Sequence, residues 1–321
     1  MNRLLLLVLL GLSACAASPR AEAGPGPSTV RLRFDWAPGS GATVRAHRTA
    51  VDVSPRGHFV DEADVRLRFR VEGLGDGVVV RWEEAEVESL PGRWIPRTVE
   101  MVAVEVGQAD FQVGPHGTFV QVRAPSETQA RVAAWAARTL PRDPRPPGAH
   151  ARLIELFTED AIAKRTALFW NHLVGVWNGG TMEIGEVYSA RDEVRVPGLG
   201  GIPVEMEVRV SAREWVPCKK GERGASCIRL VLTAMPAEEQ RPLLLEFTSN
   251  FFAADPEQEL QILHEVEVVT DPRDLRPRSL HARELVDIPL AQGEHIRIED
   301  ERRLEFAWAS PPAFEPGKNR R

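Results

Sequence analysis

The stretch Val65-Arg66-Leu67-Arg68-Phe69-Arg70-Val71 alternates apolar and charged side chains without a break. Successive side chains of a β-strand point to opposite faces, so this stretch presents an apolar face and an arginine face. Val30-Arg31-Leu32-Arg33-Phe34 repeats the pattern. Strands with one solvated face are typical of antiparallel sheets. We therefore expect an N-terminal β block over residues 29–124, with period-two strands from about residue 29 to residue 122.

A second β block is expected over residues 181–310. The alternation returns in Val204-Glu205-Met206-Glu207-Val208-Arg209-Val210. Further strands are predicted at 228–232, 243–252, 262–269, 280–288 and 296–308.

The segment between the two blocks, residues 125–180, has a helical period. Ser126-Glu127-Thr128-Gln129 matches a capping box, which predicts Ser126 as the N-cap of a first helix. The proline-rich run 141–147 should end that helix. A second helical stretch is expected from about Ala151 to Trp177, with a new start near Thr158-Glu159-Asp160.

Together these patterns predict an α+β fold. Its main part would be a large curved antiparallel β-sheet, either a half-barrel or two similar β subdomains, with the central helical segment packed on it. Aromatic and apolar side chains of that segment would then face the sheet and either fill the space or enclose an apolar ligand. The candidate ligand-binding residues are Trp135, Phe169, Trp170, His172, Leu173 and Trp177.

The residue pair Cys218 and Cys227 flanks a polar, glycine-bearing stretch, Lys219 to Ser226. β-like runs lie on both sides, so we predict a hairpin whose tip is closed by a structural disulfide. Metal binding or CxxC-type redox chemistry would need other spacing or further ligands.

The sequence contains no G-x-S-x-G elbow, no P-loop and no H-E-x-x-H motif. None of the eight histidines is spaced i,i+4 from another on a helix. We therefore assign no catalytic residue, no cofactor and no metal ligand. The carboxylates Glu84, Glu86 and Glu88 suit a solvated sheet face better than the acid/base pair of a glycosidase.

The composition is that of a globular protein, with 43% hydrophobic and 27% charged residues among 321. The net charge is −6, and no basic block stands out from the mixed charges. This distribution argues against a nucleic-acid partner.

The first residues indicate a cellular location. Arg3 precedes the apolar run Leu4 to Leu10, which is too short to span a bilayer and is typical of a secretory leader. Leu12-Ser13-Ala14-Cys15 follows and resembles the lipobox of bacterial lipoproteins. The resemblance implies a signal peptide over 1–14 that is removed before Cys15, and acyl chains, palmitate among them, on that cysteine. Because Ala16 rather than Asp follows, it also implies the outer membrane, facing the periplasm or the cell surface.

The remaining segments are a lipidated tether, residues 15–28, and a tail, residues 311–321. The expected layout is loosely similar to that of the half-barrel carriers LolA and LolB, which hold acyl chains beneath a helix. We expect a non-catalytic, membrane-anchored envelope lipoprotein that binds a lipid-like ligand or an envelope protein partner. The alternative is an envelope hydrolase whose site is assembled from distant residues.

Overall fold

The structure is a computed structural model, and parts of the chain lie outside what it describes. It describes residues 28–55, 57–83, 85–89, 96–140, 149–196, 202–219, 221–222, 224–252, 254–255, 258, 260–290 and 293–309. The predicted leader, Cys15, the tether up to residue 27, the proline-rich connector 141–147 and the predicted tail fall outside these residues.

The strands occur in two groups along the chain. Those of the first group are β1 (Thr29–Arg31), β2 (Gly41–Ser54), β3 (Gly57–Leu74), β4 (Gly77–Trp82), β5 (Glu86–Ser89), β6 (Phe111–Val113) and β7 (Phe119–Val122). Those of the second group are β8 (Thr181–Glu183), β9 (Val187–Val196), β10 (Ile202–Val216), β11 (Cys227–Pro236), β12 (Gln261–Thr270), β13 (Pro277–Pro289) and β14 (His295–Ala309).

Helices occur between the two groups of strands and inside each of them. The α-helices are α1 (Pro96–Val106), α2 (Pro125–Thr139), α3 (Ala149–Leu156), α4 (Glu159–Trp170) and α5 (Arg241–Phe252). A π-helical turn (Asn171–Gly175) continues α4, and a 3-10 turn (Glu238–Gln240) precedes α5.

Twelve of the described strands form one curved sheet in the order β7-β6-β4-β3-β2-β14-β13-β12-β11-β10-β9, with β5 pairing β3 at the side. Every pair in it is antiparallel. The predicted α+β fold with a large curved antiparallel sheet is therefore confirmed. The sheet is single because β14 pairs β2 and so joins the two β blocks edge to edge.

One face of the sheet, which we call the inner face, carries Val44, Leu67, Leu230, Val268 and Leu304, all buried. These side chains come from both β blocks, and cross-strand register places them on the same side. The last turn of α4 and the π-helical turn pack against them within one hydrophobic cluster. The central helical segment therefore lies on the sheet, as its apolar positions predicted.

The start of α4 agrees with the sequence. Thr158 is its N-cap, and the Thr158 Oγ1 accepts a hydrogen bond from the Ala161 backbone N–H at 3.2 Å. Glu159 and Asp160 in the first turn favour a helix start because carboxylates stabilise the positive end of the helix dipole.

The predicted N-cap of α2 is wrong. The helix begins at Pro125, after Ala124 with a positive φ of 44°, and no side chain caps it. Proline suits the first helical position because it lacks the N–H group that would otherwise be left without a partner there. Gln129 does not reach back to the helix start, since its Nε2 donates to the Phe157 carbonyl at 2.7 Å.

The period-two prediction for the N-terminal block fails at α1. Val99, Val102, Ala103 and Val106 are buried and follow helical i, i+3, i+4, i+7 spacing. This short helical pattern is hard to recognise in the sequence because longer alternating runs lie on both sides of it.

The strand predicted at 243–252 is also wrong, because these residues form α5. The continuous apolar run Leu243-Leu244-Leu245 fits a buried strand or a helix equally well. Pro242 near the start, and the buried pair Leu244 and Thr248 one helical turn apart, agree with the helix.

The predicted disulfide is confirmed. Cys218 and Cys227 are bonded, with their Cα atoms 5.0 Å apart, at the turn that joins β10 to β11. The bond closes a loop of sequence separation 9, which constrains mainly the unfolded chain.

We predict that the double variant Cys218→Ala/Cys227→Ala remains folded but is less stable. The chain-entropy argument gives a loss of roughly 2–3 kcal/mol in the free energy of unfolding. Urea denaturation of both proteins measures it, and the reduced wild type serves as the control, since it should match the variant. Equal midpoints for oxidised wild type and variant would contradict the prediction.

Candidate functional site

Five of the six predicted ligand-binding residues lie beside one hydrophobic cluster under α4 and the π-helical turn. Phe169, Trp170, Leu173 and Trp177 are each at most 6% exposed and belong to that cluster. Trp135 is also buried but belongs to a second cluster, between α1, α2 and α3. His172 is the remaining one, at the polar margin of the first cluster.

The aromatic side chains between α4 and the sheet make hydrogen bonds and ring contacts within the protein. The Trp170 Nε1 donates to the Gly117 carbonyl and the Trp177 Nε1 to the His172 carbonyl, both at 2.8 Å. The Trp170 ring packs edge-on against Trp36 at 5.2 Å between centroids. These groups fill the space between helix and sheet, so ligand contact by these residues stays a prediction.

The inner face also carries a polar row that the sequence prediction missed. His264, Glu284 and Asp300 are direct cross-strand partners on β12, β13 and β14. One row further, Arg302 lies opposite Arg48 of β2. The strands place them at positions where the alternation otherwise puts apolar side chains.

Glu105 of α1 neutralises the two arginines. Its Oε2 accepts from the Arg302 Nη2 at 2.7 Å, and its Oε1 lies 3.5 Å from the Arg48 Nη1. The Glu105 side chain is only 1% exposed. Asp300 also accepts from Arg48. Burial by itself lowers the pKa of Arg48, but the carboxylates of Asp300 and Glu105 raise it above its usual value, so this guanidinium stays charged.

His172, His264 and Glu284 form a relay of hydrogen-bonding groups. The His264 Nδ1 lies 3.3 Å from the Glu284 Oε1, and its Nε2 lies 3.3 Å from the Nε2 of His172. The contacts are satisfied when His264 donates from Nδ1 and accepts from the His172 Nε2–H. The Glu284 side chain is 64% exposed, so this end of the relay is open to solvent.

Two members of the relay, His172 and Glu284, differ in charge state. Burial, together with the neighbouring His264 and Arg302, lowers the pKa of His172 to about 3. The hydrogen bond from His264 lowers the pKa of Glu284 below its usual value, more than burial raises it. His172 is therefore neutral and Glu284 ionised at neutral pH. The sequence signal for this site is the polar residue at an apolar position, such as His264 between Ile262 and Val266.

The carboxylates after Trp82 belong to a solvated face. Glu86 and Glu88 both pair with Arg66, and the Glu86 side chain is 64% exposed. Glu84 lies outside the described residues.

A separate apolar cleft of about 490 Å³ opens between α2 and α3. Ala133, Ala136 and Ala137 line one wall, and because alanine ends at Cβ they leave room that larger side chains would fill. The other residues around it are Gln129, Val132, Leu140, Leu153, Ile154, Phe157 and Thr158. None of the ten is charged, so the cleft suits a neutral, apolar chain.

Two kinds of feature are absent from the part of the chain that the structure describes. No three His, Cys, Asp or Glu side chains are arranged there to hold a metal ion. No helix among these residues is long and apolar enough to cross a membrane.

Comparison with known proteins gives only distant likenesses among solved structures. No protein-family model matches the chain, and no curated protein matches it significantly. A solved structure of lipovitellin, described for its lipid–protein interactions, is similar with a TM-score of 0.41 and 10% identity. The alignment covers 88% of this chain but 27% of the lipovitellin chain. A likeness at this level informs neither ligand nor activity.

We predict that stability falls between pH 7.5 and 5 because of His172. Its pKa is lower in the folded than in the unfolded state, so the unfolded state takes up the proton first as the pH falls below about 6.5. Between pH 7.5 and 5 this shift lowers the free energy of unfolding by about 2 kcal/mol. Urea midpoints at each pH should therefore drop for the wild type, and drop less for His172→Gln.

His58→Gln is the matched control for this measurement, because His58 is an exposed histidine of β3. Its pH dependence should equal that of the wild type. The ionised carboxylates titrate mainly below this range, since their unfolded pKa values lie near 4. An identical pH slope for wild type and His172→Gln would refute the assignment.

Proposed function

We propose that this protein is a lipid-anchored envelope protein whose folded body binds a hydrocarbon chain in the cleft between α2 and α3. The observation that carries the proposal is a cleft of about 490 Å³ whose described lining residues are all uncharged. This volume lies within the range of small-molecule sites, about 300–1,000 Å³.

The cleft is a better site than the space beneath α4. The side chains of Phe169, Trp170 and Trp177 occupy that space. The cleft instead exposes the apolar rim residue Ile154, which is 60% exposed. Moving a chain from water into the cleft would gain about 0.8 kcal/mol for each buried methylene.

The anchor is proposed from the lipobox-like stretch that ends at Cys15. One acyl chain holds a protein only marginally at a membrane, whereas two or three give stable attachment. Following the resemblance, Ala16 favours the outer membrane over the inner one.

The proposed role is binding rather than hydrolysis. Among the residues on the inner face, His264 is already engaged at both ring nitrogens, by Glu284 and by His172. A base must be within hydrogen-bond reach of the proton that it removes. His264 would have to give up one of these contacts to act.

We expect Cys15→Ser to accumulate as an unprocessed precursor without acyl chains, because serine offers no thiol for the thioether. Mass spectrometry of the N-terminal peptide from wild type and variant measures processing and acylation. Ala14→Gly, a conservative change beside it, is the control and should be processed. A Cys15→Ser protein that matures and fractionates as the wild type does would contradict the anchor.

We expect Ala133→Trp to weaken binding of cis-parinaric acid, a fluorescent fatty acid, because the indole would occupy the cleft. The binding measurement is a fluorescence titration of the full chain. Ala134→Trp is the matched control, since Ala134 is exposed on the same helix but does not line the cleft.

The proposal predicts that the Ala133→Trp variant alone loses affinity, while both variants keep the wild-type melting temperature. Native mass spectrometry of wild type from its own envelope should also detect a bound lipid. Equal affinities of both variants and wild type would place the probe elsewhere and overturn the cleft as the site.

A further inference from the structure

Helix α5 presents an apolar stripe to solvent. Leu243, Phe247 and Phe251 are spaced four residues apart and therefore lie along one side of the helix. Leu243 is 60% and Phe251 71% exposed, and the Phe247 and Phe251 rings lie 4.6 Å apart between centroids. Large apolar side chains exposed together in this way mark contact surfaces.

The rest of α5 explains how the helix is attached. Leu244 and Thr248 are its buried residues and face the sheet. Leu244 packs in a small cluster with Val204 and Met206 of β10. Phe247 is partly buried against the same cluster, whereas Leu243 and Phe251, at the two ends of the stripe, remain exposed.

The chain between Cys15 and the folded body decides which surface the stripe can reach. The Ser28 carbonyl accepts from the Ile184 N–H at 2.7 Å, and Ile184 bridges to Ala212 of β10. From Ala212 to Val204 the strand rises by about 26 Å, at about 3.3 Å per residue. The chain from Cys15 to Ser28 has thirteen residue-to-residue steps and can extend to about 45 Å. An anchored Cys15 thus permits α5 to touch the same membrane.

We propose that the α5 stripe inserts into the lipid surface that holds the Cys15 acyl chains, so that the protein has a fixed orientation on the membrane. An amphipathic helix in this position lies in the membrane plane, about 5–10 Å deep at the headgroup boundary. The anchor supplies the high local concentration that lets so small an apolar surface suffice. The inference rests on the lipid anchor of the proposed function.

The test uses the full acylated chain with Phe251→Cys, labelled with the environment-sensitive fluorophore NBD. No other free thiol competes, since Cys218 and Cys227 are bonded and Cys15 carries lipid. The protein is reconstituted into vesicles of phosphatidylethanolamine and phosphatidylglycerol. Val187→Cys is the matched control, because Val187 is an apolar residue of β9 that is 59% exposed.

We expect the Phe251→Cys label to shift to shorter wavelength and to be quenched by spin labels on shallow acyl carbons, while the Val187→Cys label stays as in water. A vesicle-bound protein whose two labels behave alike would overturn the role of α5 and leave the anchor intact. A blue shift at position 251 without vesicles, together with a dimeric mass, would replace the membrane by a second copy and also overturn it. An N-terminal peptide without acyl mass would overturn both proposals.

Discussion

The pairing of β14 with β2 is the constraint on which the rest of the structure depends. It runs without a register shift from Arg297 opposite Val53 to Ala309 opposite Gly41, and it joins residues from the two ends of the described chain. Without it, the two β blocks would be separate sheets with open edges. With it, both blocks share one inner face, wide enough to be covered by α4, the π-helical turn and the other helices.

The same pairing brings two like charges together, and a carboxylate of α1 compensates for them. It places Arg48 directly opposite Arg302, and like charges in that position repel. Glu105 reaches both guanidinium groups from α1 and is itself buried. Because removing one partner of a buried ion pair costs about 3–5 kcal/mol, this contact holds α1 in one position on the sheet. The buried ion pairs of Glu105 therefore favour one specific position of α1 on the sheet.

In the described part of the molecule, the densest packing and the open apolar surfaces lie in different places. The densest aromatic packing lies under α4, where indole N–H groups donate to carbonyls and rings meet edge to edge. The open apolar surfaces lie elsewhere, in the alanine-lined cleft and on the stripe of α5.

The sequence by itself determined the fold class, most strands, the start of α4 and the disulfide, because these depend on neighbours in the chain. Alternation, the Thr158 cap and the Cys218–Cys227 spacing are local signals. It did not reveal α1 or α5, where short apolar runs fit strand and helix alike. Nor did it reveal the polar row, since the contact of His172 with His264 joins residues 92 positions apart. Only the tertiary structure decided which aromatic residues fill the core and where a cleft remains, because free volume depends on how separate elements pack together.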